Sequence, residues 1–581
     1  MISITKIATS RNFSVRNLLF LCCLPAMAYS VNSNASVKSP SQVAKTVGEN
    51  IVAMTTFGFV EDSAGWSQKN AYVIRFSQFE TTANETYKAT TTVKMSPSSG
   101  ENHLDSRDET HLALSHSAGN MKVYLNENLL LDSYTLTDQT FESLDYQLNQ
   151  FANSVALDFK ENDKILLEFT PFTNAPNIKI APIYANSGMA ANKIKFVYKA
   201  KSGSSPFAVG IRNNTGDTRW NLQKAPKVLV LKDKLAFTDF RYFTGTFVDA
   251  LQQVSDHFEE LDFQKYIDEH ETFFFTHYPS IALQRKKAGV IAGPFDHADR
   301  FLLLDDFGPQ LVPIITSLAQ EGKSSRFYAE KINLLNRALS IIQTKVPRLD
   351  DGTLTRKTPF SLTVQSDDLF MGGLFLIRAS QYLQSEALLE DAVTQTINFH
   401  NYLYDEETGL YRHGYFASKK QQSSTSWGRG AGWMAMIYAE ILQAMPADHP
   451  KRPVILANFI KFSDAMVKFQ NKDDGRWHQV INDNTSYLET SVTAMFVRAL
   501  ATGVHQNWLP DKKFRDAAIL GWKGLSSQID KNGGVSGIVR GTPIFSTSQE
   551  YKAHKTRAND PRGLGAVLYA SVAIDKMLKQ P

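Results

Sequence analysis

The apolar residues of this chain change period near Phe240, and that switch constrains the fold more than any other feature of the sequence. Upstream, over roughly 180 residues, apolar and polar positions alternate. Ala71–Phe76, Lys88–Met95, Met121–Leu125, Lys164–Phe169 and Ile194–Tyr198 are each rich in β-branched or aromatic residues and bounded by Asn, Gly, Ser or Pro. Period-two runs of that composition are strands, and many at short spacing predict an antiparallel β-sandwich of jelly-roll type. Met121–Leu130 reads as a hairpin turning at Asn126–Asn128. Downstream, apolar residues recur at i, i+3, i+4 and i+7 in 247–254, 308–318, 369–383, 433–445, 454–469, 493–501 and 564–577. That spacing predicts about eleven or twelve helices in a closed array of helical hairpins. A sandwich joined to a helical toroid is a layout of carbohydrate enzymes, though layout alone is analogy.

The first residues constrain where such a chain works. Lys6, Arg11 and Arg16 precede the apolar run Leu18–Pro25, and Ala26-Met-Ala28 follows. This is the three-part pattern of a secretory signal peptide, and the run is too short to span a membrane. Cleavage after Ala28 removes three basic and no acidic residues from the 62 Lys+Arg and 58 Asp+Glu, leaving 59 against 58. It also removes Cys22 and Cys23, so no disulfide is expected. The reading is therefore 1–28 signal peptide, 29–48 leader, 49–235 β domain and 236–581 helical domain, exported to the periplasm or beyond. Near neutrality excludes a nucleic-acid binder driven by overall charge, and any anionic ligand needs a local cation.

Polar and aromatic clusters at helix starts and loops are the places to look for chemistry. Asp305-Asp306 and Asp367-Asp368 each open a helix, where Asp is a favoured cap. One carboxylate of each pair is expected to cap while the other faces a cavity. A carboxylate near another in an aromatic pocket has its pKa raised, which suits a general acid. Trp427-Gly-Arg429-Gly-Ala-Gly-Trp433 places indoles and a guanidinium on a glycine-lined helix start; indoles pack on sugar rings and a guanidinium grips carboxylates. His413, Trp477-His478-Gln479 and Tyr487-Leu-Glu489-Thr-Ser491 add loop residues of pocket type. Asp296-His297-Ala-Asp299 reads as a loop network. No metal-ligand spacing, phosphate loop or nucleophile elbow appears, so neither metal nor cofactor is expected.

In this order and spacing the segments resemble the unsaturated glucuronyl and rhamnogalacturonyl hydrolases, glycoside hydrolase families 105 and 88, over roughly residues 240–580. The strongest pieces are Trp427-Gly-Arg-Gly-x-Gly-Trp433, Asp367-Asp-Leu-Phe-Met371, and Trp477-His-Gln with Tyr487-Leu-Glu-Thr-Ser491. The resemblance implies an (α/α)6 barrel preceded by an extra β domain. It also implies that a 4,5-unsaturated uronic acid is removed from the non-reducing end of lyase-generated oligosaccharides. An Asp protonates C4 of the vinyl ether, water adds at C5, and the anomeric carbon is not attacked. The catalytic Asp falls on Asp367 and a second acid on Asp305 or Asp306. His413, Trp427, Arg429 and Trp433 match pocket positions, with Trp477, His478 and Tyr487 beside them.

Two positions depart from the family pattern. Gln365 stands where members commonly have Trp, and Arg562, in Asn559-Asp-Pro-Arg-Gly, stands where a His is usual. Two other readings use the same layout, a polysaccharide lyase and a non-catalytic glycan-binding protein. A lyase needs a Tyr or His base and a uronate neutraliser, and it creates the conjugated double bond that an unsaturated uronyl hydrolase destroys.

Overall fold

A computed structural model of the chain describes residues 37–62, separate strand segments between 74 and 232, Leu235, and 237–580 apart from 289–292, Leu302 and 358–359. The segment read as a signal peptide and residues 29–36 of the expected leader lie outside the described residues.

The first described element is a helix where a leader was expected. Ser39 caps α1 (Pro40–Met54), its hydroxyl accepting from the Gln42 N–H, and Pro40 sits in the first turn. These are ordinary start signals. Val43, Ala44, Val47 and Ile51 form one apolar stripe, and all four are buried in the same core as the helices of the second half. Gly48 lets the helix come close: a Cβ there would stand 2.4 Å from the Phe263 ring. The chain entering α1 is held too, with the Trp522 indole N–H donating to Lys38 O at 3.0 Å and Lys38 Nζ donating to the Ile529 carbonyl at 2.7 Å.

The β region follows as β1 (Phe59–Asp62), β2 (Ile74–Phe76), β3 (Tyr87–Met95), β4 (Thr110–Ser115), β5 (Gly119–Leu125) and β6 (Asn128–Ser133). Next come β7 (Val155–Leu157), β8 (Lys164–Pro171), β9 (Ile178–Tyr184), β10 (Ile194–Val197), β11 (Ala208–Asn213), β12 (Gly216–Asn221) and β13 (Val228–Leu231). All pairings among them are antiparallel. One sheet runs β12-β11-β3-β8-β5-β6 with β10 also on β3, and the other runs β2-β9-β4-β7. Asn126 and Glu127 turn the β5–β6 hairpin with φ of 49° and 72°, the left-handed pair of a type I′ turn. How the sheets face one another rests on side chains outside the described residues. β1 pairs with β13, Phe59 opposite Leu231, so the region leaves and re-enters the helical domain at adjacent points.

From Tyr242 the chain is helical, in agreement with the change of period. The long helices are α2 (Tyr242–His257), α3 (Gln264–Ala288), α5 (Leu304–Glu321), α6 (Tyr328–Thr344), α7 (Ser366–Leu383) and α8 (Glu386–Leu403). They continue as α9 (Gly428–Ala444), α10 (Arg452–Phe469), α11 (Thr490–His505), α12 (Lys512–Ser527) and α14 (Pro561–Lys579). Two single-turn pieces, α4 (Asp296–Arg300) and α13 (Ser548–Ala553), lie in connections. α2, α5, α7, α9, α11 and α14 pack in a closed ring, each against the next and α14 back against α2. α3, α6, α8, α10 and α12 return the chain outside that ring, and α1, docked on α14, is the sixth outer helix. The (α/α)6 barrel is therefore completed by a helix that straddles the expected boundary between leader and β domain, and the β region is an insertion between α1 and α2. Because each inner helix is reached from an outer one, the inner N-termini share one end of the barrel.

A fragment of residues 236–581 lacks α1. Burial of a Val or Ile side chain contributes about 1.5–3 kcal/mol, so the fragment is expected to be insoluble or to melt well below the parent. A chain starting at 38 with residues 63–227 replaced by a short linker is expected to stay soluble with a cooperative melt by circular dichroism. A stable 236–581 fragment would show that α1 is dispensable.

Candidate active site

The inner N-termini gather the chemistry. Asp305 and Asp306 lie in the first turn of α5, and Asp367 and Asp368 in that of α7. The two helices cross without clearance at Gly308, where a Cβ would stand 2.1 Å from the Met371 carbonyl oxygen, and this crossing brings the carboxylate pairs together. Within each pair the second residue is buried, its side chain 1% exposed, while Asp305 and Asp367 keep 21% and 14%. Asp306 is the cap. It accepts the Leu303 N–H at 2.9 Å and meets His297 Nδ1 at 2.5 Å and Arg300 at 3.4 Å. Burial acts to raise Asp306, but the charges of Arg300 and His297 and these hydrogen bonds outweigh it and hold the carboxyl well below its usual range. Of the two residues left open by the sequence, Asp305 is the one that joins the Asp367 cluster.

That junction is made by Arg356, a loop residue without motif. Its Nη2 donates to Asp305 Oδ1 at 2.8 Å and its Nε to Asp368 Oδ2 at 2.7 Å. One guanidinium thus serves two carboxylates, with Asp367 as a third nearby. Burial raises Asp305, opposed by Arg356 and reinforced by Asp367 and Asp306. Burial likewise lifts Asp368 to about 7 despite Arg356.

Asp367 differs. β14 (Thr363–Gln365) pairs with β15 (Gly414–Phe416), and the Ser366 N–H donates to the His413 carbonyl at 2.9 Å. This sets the His413 ring beside Asp367, with Nε2 at 3.5 Å from Oδ2. Gln365 and Ser366 approach the same oxygen at 3.5 and 3.4 Å. Tyr551 Oη lies 2.7 Å from His413 Nδ1 and accepts the Phe545 N–H. With Tyr551 donating to Nδ1, the imidazole carries its proton on Nε2, facing the carboxylate. Burial acts to raise Asp367, but His413, Arg356 and Arg429 together hold it below the usual range. Burial also pushes His413 down, more than Asp367 lifts it, so the ring is neutral at neutral pH. The raised carboxyls are therefore Asp305 and Asp368, whereas the sequence reading expected elevation at Asp367.

The aromatic residues separate into walls, floor and core. Trp427 caps α9 and lies against His413, ring centroids 4.3 Å apart, with Tyr551, Phe545 and Tyr487 in the same cluster. Trp433 is 1% exposed, stacks on Phe370 at 4.5 Å and meets Tyr242 of the opposite helix at 6.3 Å, so it floors the cleft inside the ring. His478 binds the Ser486 carbonyl through Nδ1 at 2.6 Å and lines a cleft with Thr425, Asn471 and Asn482.

Two expectations change on inspection of the contacts. Trp477 is fully buried, its indole N–H donating to Met466 O at 2.7 Å; it is core, placed there because strand alternation turns it away from His478. Arg429 is 1% exposed and spends both terminal nitrogens on the carbonyls of Val539 and Arg540, at 2.7 and 2.6 Å. It lies 4.9 Å above the Trp427 ring and secures the 538–541 segment rather than offering its fork to a substrate. Glu489 is a related anchor, accepting from Ser491 N–H, Val492 N–H and Val539 N–H. The network read at Asp296–Asp299 is present, with Arg241 meeting Asp239 and Asp296. Among the described residues, no group of three or more His, Cys, Asp or Glu is arranged to hold a metal ion, and no helix is long and apolar enough to cross a membrane.

Comparison with known proteins agrees with the barrel. Residues 233–578 match the model of Glycosyl Hydrolase Family 88. The unsaturated rhamnogalacturonyl hydrolase YesR of Bacillus subtilis (strain 168) is 30% identical over 217 residues, 36% of this chain and 60% of that protein. The unsaturated 3S-rhamnoglycuronyl hydrolase of Alteromonas sp. (strain LOR) is 27% identical over 143 residues, 24% of this chain and 34% of that protein. The chain thus spans less than two thirds of the length of these curated relatives. A possible member of the GH105 family from Salmonella enterica superposes with a TM-score of 0.50 at 17% identity, covering 64% of this chain and 88% of that one, a likeness of fold.

Arg356→Gln leaves Asp305 and Asp368 without their main opposite charge. Breaking such a buried contact costs about 3–5 kcal/mol. Both carboxyls then titrate still higher in the folded chain than in the unfolded one, so stability is retained at low pH and lost as pH climbs through the folded values. Thermal melts are expected to show a deficit that is small near pH 5 and large near pH 8 (the approximate window of the raised carboxyls). A deficit independent of pH would place these carboxyls outside the titrating cluster.

Proposed function

The chain belongs to Glycosyl Hydrolase Family 88, and we propose that it removes a 4,5-unsaturated uronic acid from the non-reducing end of oligosaccharides released by a polysaccharide lyase. The observation that carries this reading is the approach of His413 Nε2 to Asp367 Oδ2 at 3.5 Å, beside Asp305 on Arg356. The names of the curated relatives point to the same substrate class. Export remains part of the proposal, from the pattern of residues 1–28.

Asp367 is the proposed acid. In the open cleft it sits low, held as carboxylate by His413 and the two guanidiniums. A sugar ring settling on it displaces water, and loss of hydration disfavours the charged form. Asp305 places negative charge alongside and acts in the same direction. Protonated Asp367 then delivers its proton to C4 of the vinyl ether, leaving positive charge on C5 shared with the ring oxygen. Water adds at C5 and its proton returns to the Asp367 carboxylate, restoring the acid. The C5 hemiketal opens to a ketone, and the hemiacetal left at C1 collapses to an aldehyde and the released sugar. Trp427 and Trp433 enclose the site in apolar surface, which strengthens each of these electrostatic effects.

Asp367→Asn is expected to fold normally and to lose at least about a hundredfold in turnover, the usual order for removing an acid–base group. The assay is the disappearance of the conjugated double bond's ultraviolet absorbance from lyase-generated oligosaccharides. Near-normal turnover in the variant would sink the assignment of Asp367. An absorbance that grows on intact polysaccharide would identify a lyase, and binding of glycan without turnover by the parent protein would leave a binding protein.

A further inference from the structure

An acidic cleft that takes an acidic sugar needs a cation whose charge is still available. Asp305 and Asp368 share one guanidinium, Arg356, with Asp367 nearby, so the cation on that side of the cleft is already committed to carboxyls. Arg429 is enclosed and committed to two carbonyls. Arg412 is paired with Asp405 and the Ser424 carbonyl, and Arg476 with both oxygens of Asp474.

Arg562 stands in a different position. It lies in the first turn of α14, one of the inner helices whose N-termini share the end of the barrel where Asp305 and Asp367 lie. Its ring neighbour α2 begins with Tyr242 and Phe243, and the guanidinium carbon sits 5.4 Å from the centre of the Phe243 ring. Tyr242, half-buried, meets Trp433 of the opposite inner helix, and the charge of Arg562 acts on its hydroxyl. Gly541 closes over the guanidinium: a Cβ there would stand 3.1 Å from Nε and 3.3 Å from Nη2. The segment carrying Gly541 is the one that Arg429 secures. Asp560 is the ion-pair partner of Arg562 at 3.0 Å, but it is shared with Arg557, also at 3.0 Å. Two guanidiniums on one buried carboxylate leave a net positive charge. Arg562 keeps 27% exposure of its side chain, and the bonds to Asp560 use Nη1, so its Nη2 edge is not the one engaged there.

We propose that Arg562 reads the carboxylate of the substrate's terminal ring, with the Nη2 edge of its guanidinium as donor, and so sets the preference for an acidic sugar across the lumen from Asp367. This rests on the reading of the site as one for unsaturated uronides. The electrostatic environment of Tyr242 fits: burial raises its hydroxyl to about 12, Arg562 and Arg429 lower it, and Asp305 and Asp367 raise it. Tyr242 therefore stands between a cationic and an anionic side and stays protonated, a neutral donor beside Arg562.

The test uses an unsaturated disaccharide from lyase digestion and its methyl ester. Arg562→Ala is expected to raise KM for the acid about tenfold to a hundredfold, the span of a lost charge-assisted contact. The effect on kcat should be smaller, and Arg562→Lys should fall between. On the ester, wild type is expected to lose the same factor and Arg562→Ala to lose nothing further. Variants within about twofold of wild type on the acid, or an equal penalty on acid and ester, would overturn the proposal. Calorimetric binding of the same disaccharide to Asp367→Asn, with and without Arg562→Ala, reads the contact without chemistry. Binding that depends on Arg562 in a protein that never turns the disaccharide over would defeat the proposed function and leave this inference standing.

Discussion

One guanidinium, Arg356, holds two carboxyls together beside a third. Without Arg356, Asp305 and Asp368 would face each other across the α5–α7 crossing as buried like charges, and the first turns of both helices could not approach as closely as Gly308 and Met371 allow. The attraction is deliberately incomplete in its chemistry, since one cation cannot satisfy two carboxylates and a third nearby. The remainder appears as the raised titration of Asp305 and Asp368. Excess charge of this kind costs stability and is characteristic of functional sites. Here it leaves two carboxyls with raised titration beside Asp367, the residue proposed as the acid.

The barrel that carries this cluster closes in an unexpected place. Its sixth outer helix comes from residues 40–54, and the strands β1 to β13 intervene before the first inner helix. An insertion of that length is tolerated because β1 and β13 run antiparallel side by side, so its ends are already together and loop closure adds little. Deep burial of Val43, Val47 and Ile51 beside Phe263 then ties the start of the chain to the barrel's far end.

Much of this was legible in the sequence, for physical reasons that can be named. The change from period two to 3.6 located the helical domain, and Asp at two helix starts located α5 and α7. The stripe Val43, Ala44, Val47, Ile51 was also present at helical spacing, but the Ser-, Asn- and Lys-rich composition around it dominated the reading. Arg356 and Tyr551 carried no signal, since an Arg in a loop and a Tyr in a one-turn helix gain meaning only from the carboxylates and imidazole they meet in space. Aromatic and cationic residues near a site could be recognised as a group but not sorted. Trp477 went to the core, Trp433 to the floor and Arg429 to a backbone segment, and only the contacts of each could say so.

The two sides of the cleft place opposing demands on Asp367. A substrate carboxylate brought near would raise it by like-charge repulsion, yet a guanidinium that binds the carboxylate cancels much of that field. The protonation that the chemistry needs then has to come mainly from elsewhere. Desolvation is the available source, because burial is the first influence on Asp367 and acts upward, while its partial exposure in the open cleft leaves water to oppose it. A sugar ring that fills the space above Trp433 and beside Trp427 removes that water and lets burial prevail over His413. In the proposed reaction the aromatic enclosure switches the acid on, and the proposed role of Arg562 is to select which sugar does so.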